Sequence, residues 1–178
     1  ALVGPDNKKY SYKDVVEKAS YINSKIESGS IILIIGSNCV ESIIGYISFI
    51  KYNNVTLLLD KSFKLNYTNQ IIKKYKPNYI FGPKKLVYKV SKSKEVISGQ
   101  NYNLIKTNFK KHKKINKKNL LLLSTSGTTQ NPKFVRLSDL NLTNNTNNII
   151  KYLNINSNHT TITTMPMGYS YGLSIINT

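Results

Sequence analysis

The sequence contains no tryptophan, one cysteine, one arginine, two histidines and only eight acidic residues among 178. Each shortage removes a class of chemistry. Cys39 cannot form an internal disulfide, and it sits in an apolar pattern suited to a small buried residue, which points to a reducing, cytoplasmic compartment. So few carboxylates leave no paired-carboxylate site to propose. His112 and His159 have no cysteine or acidic neighbours at metal-ligand spacing, which argues against a zinc site. No stretch reaches the ~18 continuous apolar residues of a membrane span, and the amino terminus lacks a basic-then-apolar signal pattern. G-x-x-x-x-G-K-[ST] does not occur, so a Walker loop is absent, and Ser126 does not stand in the G-x-S-x-G elbow of a serine nucleophile.

What the chain has in excess is lysine: 26 basic residues give a formal charge of +18. Such a balance invites a nucleic-acid reading, because basic surfaces attract phosphate backbones through counterion release. The residue types oppose it. Arg136 is the one arginine, whereas nucleic-acid readers favour the guanidinium fork for bidentate contacts. Lysines spread through a chain rich in Asn, Ile and Tyr read as a solvated surface, and the densest run, residues 106–118 around His112, reads as a solvated connection rather than an anion patch.

Along the chain, apolar and polar residues alternate as in an open, mostly parallel α/β sheet flanked by helices. From Ser11, "SYKDVVEKASYINSKI" places Val15, Ala19, Ile22 and Ile26 at helical spacing, and Ser11 with Asp14 resembles a capping box. "SIILIIG" (30–36) and "VTLLLD" (55–60) are short β-branched or leucine runs of the kind buried on both faces, and the stretch between them carries a helical stripe of Val40, Ile43, Ile44, Ile47 and Ile50. Strand, helix, strand over some thirty residues is a βαβ unit. "NYTNQIIKKYK" continues as a helix and "PNYIFG" as a strand, and residues 84–118 read as short strands and loops. "NLLLLST" (119–125) is a buried strand, "KFVRLS" a second strand, and "DLNLTNNTNNIIKYLN" a helix capped by Ser138 or Asp139. "TTITTM" (160–165) reads as a further strand leading into "PMGYSYG".

Between two of these strands lies "STSGTTQNPK" (124–133). Hydroxyls and flexible amides followed by a lysine suit the oxygens of a polyphosphate; the same residue types also build ordinary polar turns. The stretch resembles the phosphate-binding signature T-S-G-T-T-G-x-P-K of the adenylate-forming superfamily, which includes acyl-CoA and aryl-CoA synthetases, luciferases and the adenylation domains of peptide synthetases. "GSIILIIGSNCVESIIGYISFIKYNNVTLLLD" resembles that family's first sheet unit, "IIKKYKPNYIFG" the segment after it, "VRLSDLNL" the strand and helix start beyond the loop, and "MPMGYSYGLS" the aromatic motif where the acyl pocket begins. Gln130 stands where the signature has glycine, and Phe134 where glycine commonly follows the lysine.

The resemblance implies that residues 1–178 are the N-terminal part of such an enzyme, trimmed at both ends, with 1–118 as the first sheet unit and 119–178 as the phosphate loop, its following strand and helix, and the start of the acyl pocket. It implies that Thr125, Ser126, Gly127, Thr128 and Thr129 hold the β- and γ-phosphates of ATP while Lys133 balances their charge. Tyr169 falls where the family often has histidine, and Tyr171 and Gly172 match its aromatic-glycine pair at the carboxylate pocket. Further implications are Mg²⁺ as cofactor and coenzyme A, or the phosphopantetheine of an acyl carrier protein, as thiol acceptor. The family's remaining catalytic motifs fall outside these residues, so none is catalytic by itself and the piece alone is expected to be silent. Two alternatives stand beside this reading: a basic module that binds an anionic surface or nucleic acid, and a relative that binds nucleotide without turnover.

Overall fold

The computed structural model describes residues 1–52, 54–90, 94–111, 120–124 and 133–178. In chain order the elements are β1 (Leu2–Val3), β2 (Lys9–Tyr10), α1 (Tyr12–Ser24), β3 (Ile31–Gly36), α2 (Val40–Lys51), β4 (Val55–Asp60), α3 (Leu65–Tyr75), β5 (Tyr79–Pro83), α4 (Lys84–Val90), β6 (Lys94–Ser98), β7 (Tyr102–Lys106), β8 (Leu121–Ser124), β9 (Phe134–Leu137), α5 (Asp139–Leu153) and α6 (Ser170–Asn177). β1 and β2 form a small ribbon, and the other seven strands form one sheet in the order β6-β7-β5-β3-β4-β8-β9.

The centre of that sheet is parallel, as the βαβ pattern requires: β3 pairs with β4 and β5, and β4 with β8. Both margins are antiparallel, where β7 returns along β5, β6 along β7, and β9 along β8. Because β8 joins β4 directly, the strand before the hydroxyl-rich loop belongs to the same sheet as the first βαβ unit.

Apolar residues fill both faces of the central strands, which is why these runs show no polar alternation. Ile32, Ile34, Leu58, Leu121 and Leu123 pack with Tyr46 and Phe49 of α2 and Leu173 of α6. Their neighbours Leu33, Ile35, Leu57 and Leu59 face the opposite way and pack with Ile71 and Ile72 of α3 and Val87 of α4. α1 lies outside α2, with Val15 and Ala19 against Val40 and Ile44. Its capping box forms as the sequence implies: Ser11 Oγ accepts from the Asp14 amide at 3.1 Å, and the Asp14 carboxylate accepts from the Ser11 amide at 2.8 Å.

Two expectations need correction. Residues 84–90 form a helix rather than loop or strand, with Val87 turned into the core while Lys84, Lys85 and Lys89 remain exposed. Residues 160–165 do not form a strand. Ile162 is 82% exposed and the segment has no sheet partner; β-branched residues favour strands only where a pleated, half-buried surface receives them. Cys39 is half-buried at the start of α2.

Candidate functional site

The carboxyl ends of parallel strands are where open α/β sheets hold ligands. Here those ends are Gly36 of β3, Asp60 of β4 and Ser124 of β8. Ser124 pairs with Phe134 across the β8–β9 ladder, so the connection that contains the hydroxyl-rich loop begins and ends on one rung at this edge. Thr125, Ser126, Gly127, Thr128 and Thr129, with Gln130 and Pro132, lie outside the described residues. Lys133 is exposed immediately before β9. Phe134, which replaces a glycine of the signature, sets its ring edge-on to Tyr75 of α3 at 5.1 Å, so it contributes packing against α3. Ser124 is 6% exposed and its Oγ has no hydrogen-bond partner among the described residues. A buried hydroxyl without a partner is uncommon in a folded chain.

The aromatic segment comes to the same edge from the far end of the sequence. Gly168 lies so close to Asp60 that a Cβ at that glycine would stand 2.7 Å from the Asp60 amide nitrogen and 2.8 Å from its Cβ. At Gly36 a Cβ would meet Met167 Sδ at 3.2 Å. Glycine at these two points lets the 167–168 turn sit directly on the ends of β3 and β4. Met167 is fully buried and Asp60 is 6% exposed. The Asp60 carboxylate is itself occupied, accepting the Ser62 amide at 2.9 Å.

Asn38 fastens this segment. Its Nδ2 donates to the Thr163 carbonyl and Oγ1, both at 3.2 Å, and to the Met165 carbonyl at 2.8 Å. Its Oδ1 accepts the Met167 amide at 2.9 Å. An asparagine two residues before α2 reads as a helix cap, yet its amide is spent on residues 125 to 129 positions away. That sequence separation is why the residue was not a candidate. The sequence carries no local signal for it: that Cys39, the N-cap of α2, makes no capping bond is seen in the structure alone.

Tyr169 follows as the N-cap of α6, half-buried, with its ring 6.4 Å from Phe63. Phe63 stacks in turn on Tyr67 at 4.8 Å, and burial raises the Tyr67 phenol above its ordinary range. These three rings make an aromatic wall beside the β4 end. Tyr171 is 66% exposed and points away from the core. Gly172 is buried, and a Cβ there would meet the Met165 carbonyl at 2.5 Å, so glycine is required for α6 to close on the preceding turn. Among the described residues no group of three or more His, Cys, Asp or Glu could hold a metal ion. No helix among them is long and apolar enough to cross a membrane.

The sequence profile of the AMP-binding enzyme family matches residues 1–178. The chain belongs to that family. No curated protein matches it. Among solved structures, it is similar to apo MatB from Rhodopseudomonas palustris, with a TM-score of 0.75 and 18% identity over 97% of this chain and 38% of that one. It is also similar to o-succinylbenzoate coenzyme A synthetase (MenE) from Bacillus subtilis, solved in complex with AMP, with a TM-score of 0.77 and 15% identity over 99% of this chain and 48% of that one. A third likeness is to a long-chain-fatty-acid-CoA ligase (FadD1) from Archaeoglobus fulgidus, with a TM-score of 0.75 and 15% identity over 99% of this chain and 41% of that one. This chain therefore spans less than half the length of each of these structures, and at such identities the likeness fixes the fold.

Proposed function

We propose that this member of the AMP-binding enzyme family is the N-terminal, phosphate-holding part of an ATP-dependent ligase that activates a carboxylate as its acyl-adenylate. The observation that carries the reading is convergence: Ser124 and Phe134, which flank the hydroxyl-rich loop, and the segment ending in Tyr169 lie at the same carboxyl edge of β3, β4 and β8. In the reaction, a carboxylate oxygen attacks the α-phosphorus of ATP, the new acyl–O–P bond forms, and the bond to the β-phosphate breaks to release pyrophosphate. Thr125, Ser126, Gly127, Thr128 and Thr129 hold the β- and γ-phosphates through hydroxyls and amides, and Lys133 offsets their charge. The unpartnered hydroxyl of Ser124, adjoining that loop, is consistent with an oxygen-rich ligand there. Tyr169, Tyr171 and Gly172 shape the entrance to the carboxylate pocket, where a tyrosine offers both a ring face and a hydroxyl.

The described residues supply no acidic set for Mg²⁺, so none is assigned that role. The acyl group passes to a thiol, that of coenzyme A or of a carrier protein's phosphopantetheine, and the enzyme works in the cytoplasm. Residues 1–178 alone do not turn over; robust adenylation by that purified piece would overturn this part of the reading.

Carboxylate-dependent exchange of pyrophosphate into ATP by the full-length protein, against short, long and aromatic acids, tests the whole. Exchange with one class of acid is expected, with at least a tenfold loss in Lys133→Ala, since removing a charge-assisted contact to phosphate costs about 1.5–3 kcal/mol. ATP binding without exchange for any acid identifies instead a nucleotide-binding relative lacking turnover, which Gln130 at a glycine position favours.

A further inference from the structure

The formal charge is distributed unevenly along the chain. Residues 1–60 hold six basic and six acidic side chains, and residues 139–178 hold Lys151 against Asp139. Residues 61–138 hold nineteen basic side chains against Glu95 alone, so the whole net charge of +18 belongs to the middle of the sequence. The fold gives this segregation a direction. α3 and α4 come from the charged stretch and cover one face of the sheet, whereas α1, α2, α5 and α6 come from the neutral stretches and pack on the other.

On the neutral side the charges are mixed, as in the Lys13–Glu17 pair of α1 at 4.0 Å. Neither α3 nor α4 contains an acidic residue, and Lys64, Lys73, Lys74, Lys84, Lys85 and Lys89 on or capping them are all exposed. Glu95 is the single carboxylate beside them. It accepts bonds from Tyr88 Oη and from Asn103 Nδ2, the latter at 2.7 Å, and the tyrosine bond holds its carboxyl below the usual range, so it subtracts one charge from the face. Standing among the lysines are Leu65, 39% exposed, and Tyr88, 43% exposed.

We infer that the α3–α4 face is a docking surface for an anionic lipid bilayer. Lysines form hydrated point charges that respond to the field of a surface without needing the fixed geometry of a guanidinium fork, and a bilayer offers a field rather than a pattern. An exposed leucine at the start of α3 and an exposed tyrosine on α4 match the shallow insertion of peripheral proteins, in which apolar side chains enter the headgroup boundary beneath a basic rim. A single-stranded nucleic acid would instead want a groove with stacking platforms. Two surface clefts among the described residues, of about 330 and about 450 Å³, lie off this face, between α2, α5 and α6 and beside β6 and β7. Association of this kind is peripheral, adding a location to the enzyme without depending on its reaction.

Sedimentation of the full-length protein with vesicles tests the inference. Phosphatidylcholine vesicles should leave it in the supernatant, whereas vesicles with 30% phosphatidylserine should pull it down at low salt and release it as salt rises. Replacing Lys73, Lys85 and Lys89 together by Gln should lower the partition coefficient by roughly a hundredfold, given the usual contribution of each lysine at an anionic surface. The charge-matched control Lys9→Gln, Lys13→Gln, Lys18→Gln on the neutral side should lower it several-fold at most, and circular dichroism should show both triple variants folded. Equal losses in the two triple variants would reduce the effect to net charge and overturn the assignment of this face. Binding to a single-stranded RNA homopolymer with no binding to anionic vesicles would overturn the lipid reading in favour of nucleic acid.

Discussion

α2 and α5 lie on the same side of the sheet and are held by opposite means. In α2, eight of twelve residues are buried, Phe49 completely, yet its N-cap makes no side-chain capping bond. α5 is longer, at fifteen residues, and buries none of them, but Ser138 and Asn141 close a capping box and Asn154 ends the helix in the left-handed conformation. Its sequence, rich in Asn and Thr, has weak intrinsic preference for a helix. Tertiary burial fixes α2; local hydrogen bonds at the two ends, with contact to α6 and half-buried Leu142 against the core, hold α5. The consequence for the site is a rigid floor under the strand ends and a looser element after β9.

The difference predicts a ladder of sensitivities. Phe49→Ala, which removes a ring packed edge-on to Phe81 at 5.5 Å, should cost about 3–5 kcal/mol in chemical denaturation. A loss below 1 kcal/mol would mean that the core collapses around the gap and that α2 is not the anchored helix. Asn38→Ala comes next, at about 1–3 kcal/mol, because it leaves the Met167 amide without its side-chain acceptor and the Met165 carbonyl with Thr163 Oγ1 as its remaining side-chain donor. Its diagnostic consequence is kinetic. In the full-length protein it should raise the KM for the carboxylate more than that for ATP, since Asn38 positions the turn before Tyr169. An equal rise in both constants would show a general loosening instead.

How much of this was legible in the sequence follows the same division. β3, α2 and β4 could be read because buried runs and a helical stripe leave a local periodic trace, and α1 because its capping box is spelled within four residues. α4 could not: seven residues with three lysines make too short a stripe, and only contact with β5 and β7 makes it a helix. The strand expected at 160–165 shows the reverse error, a β-rich composition with no sheet edge to receive it. The antiparallel margins likewise depend on long-range pairing of β7 with β5 and β9 with β8. Within the site, Lys133 and Tyr169 were legible as residue types in a motif, whereas Asn38, Phe63 and the orphaned hydroxyl of Ser124 acquire meaning only when distant segments meet. Phe134, in the sequence a departure from a glycine, becomes a packing residue once Tyr75 is beside it.

Further down the ladder, Ser138→Ala should cost about 1 kcal/mol, the usual value of a lost N-cap, and Ser138→Gly less. For a helix with no buried residue this should be among its largest single sensitivities, visible as faster amide exchange in the first turn of α5 while α2 remains protected. The smallest effect belongs to the outer face of the same helix. Tyr152 is 87% exposed and Leu140 66% exposed, so Tyr152→Ala and Leu140→Ala should each stay within about 0.5 kcal/mol of the parent. Either one matching the cap variant would mean that α5 draws on apolar contact more than on its ends, and the contrast with α2 would then be one of degree rather than of kind.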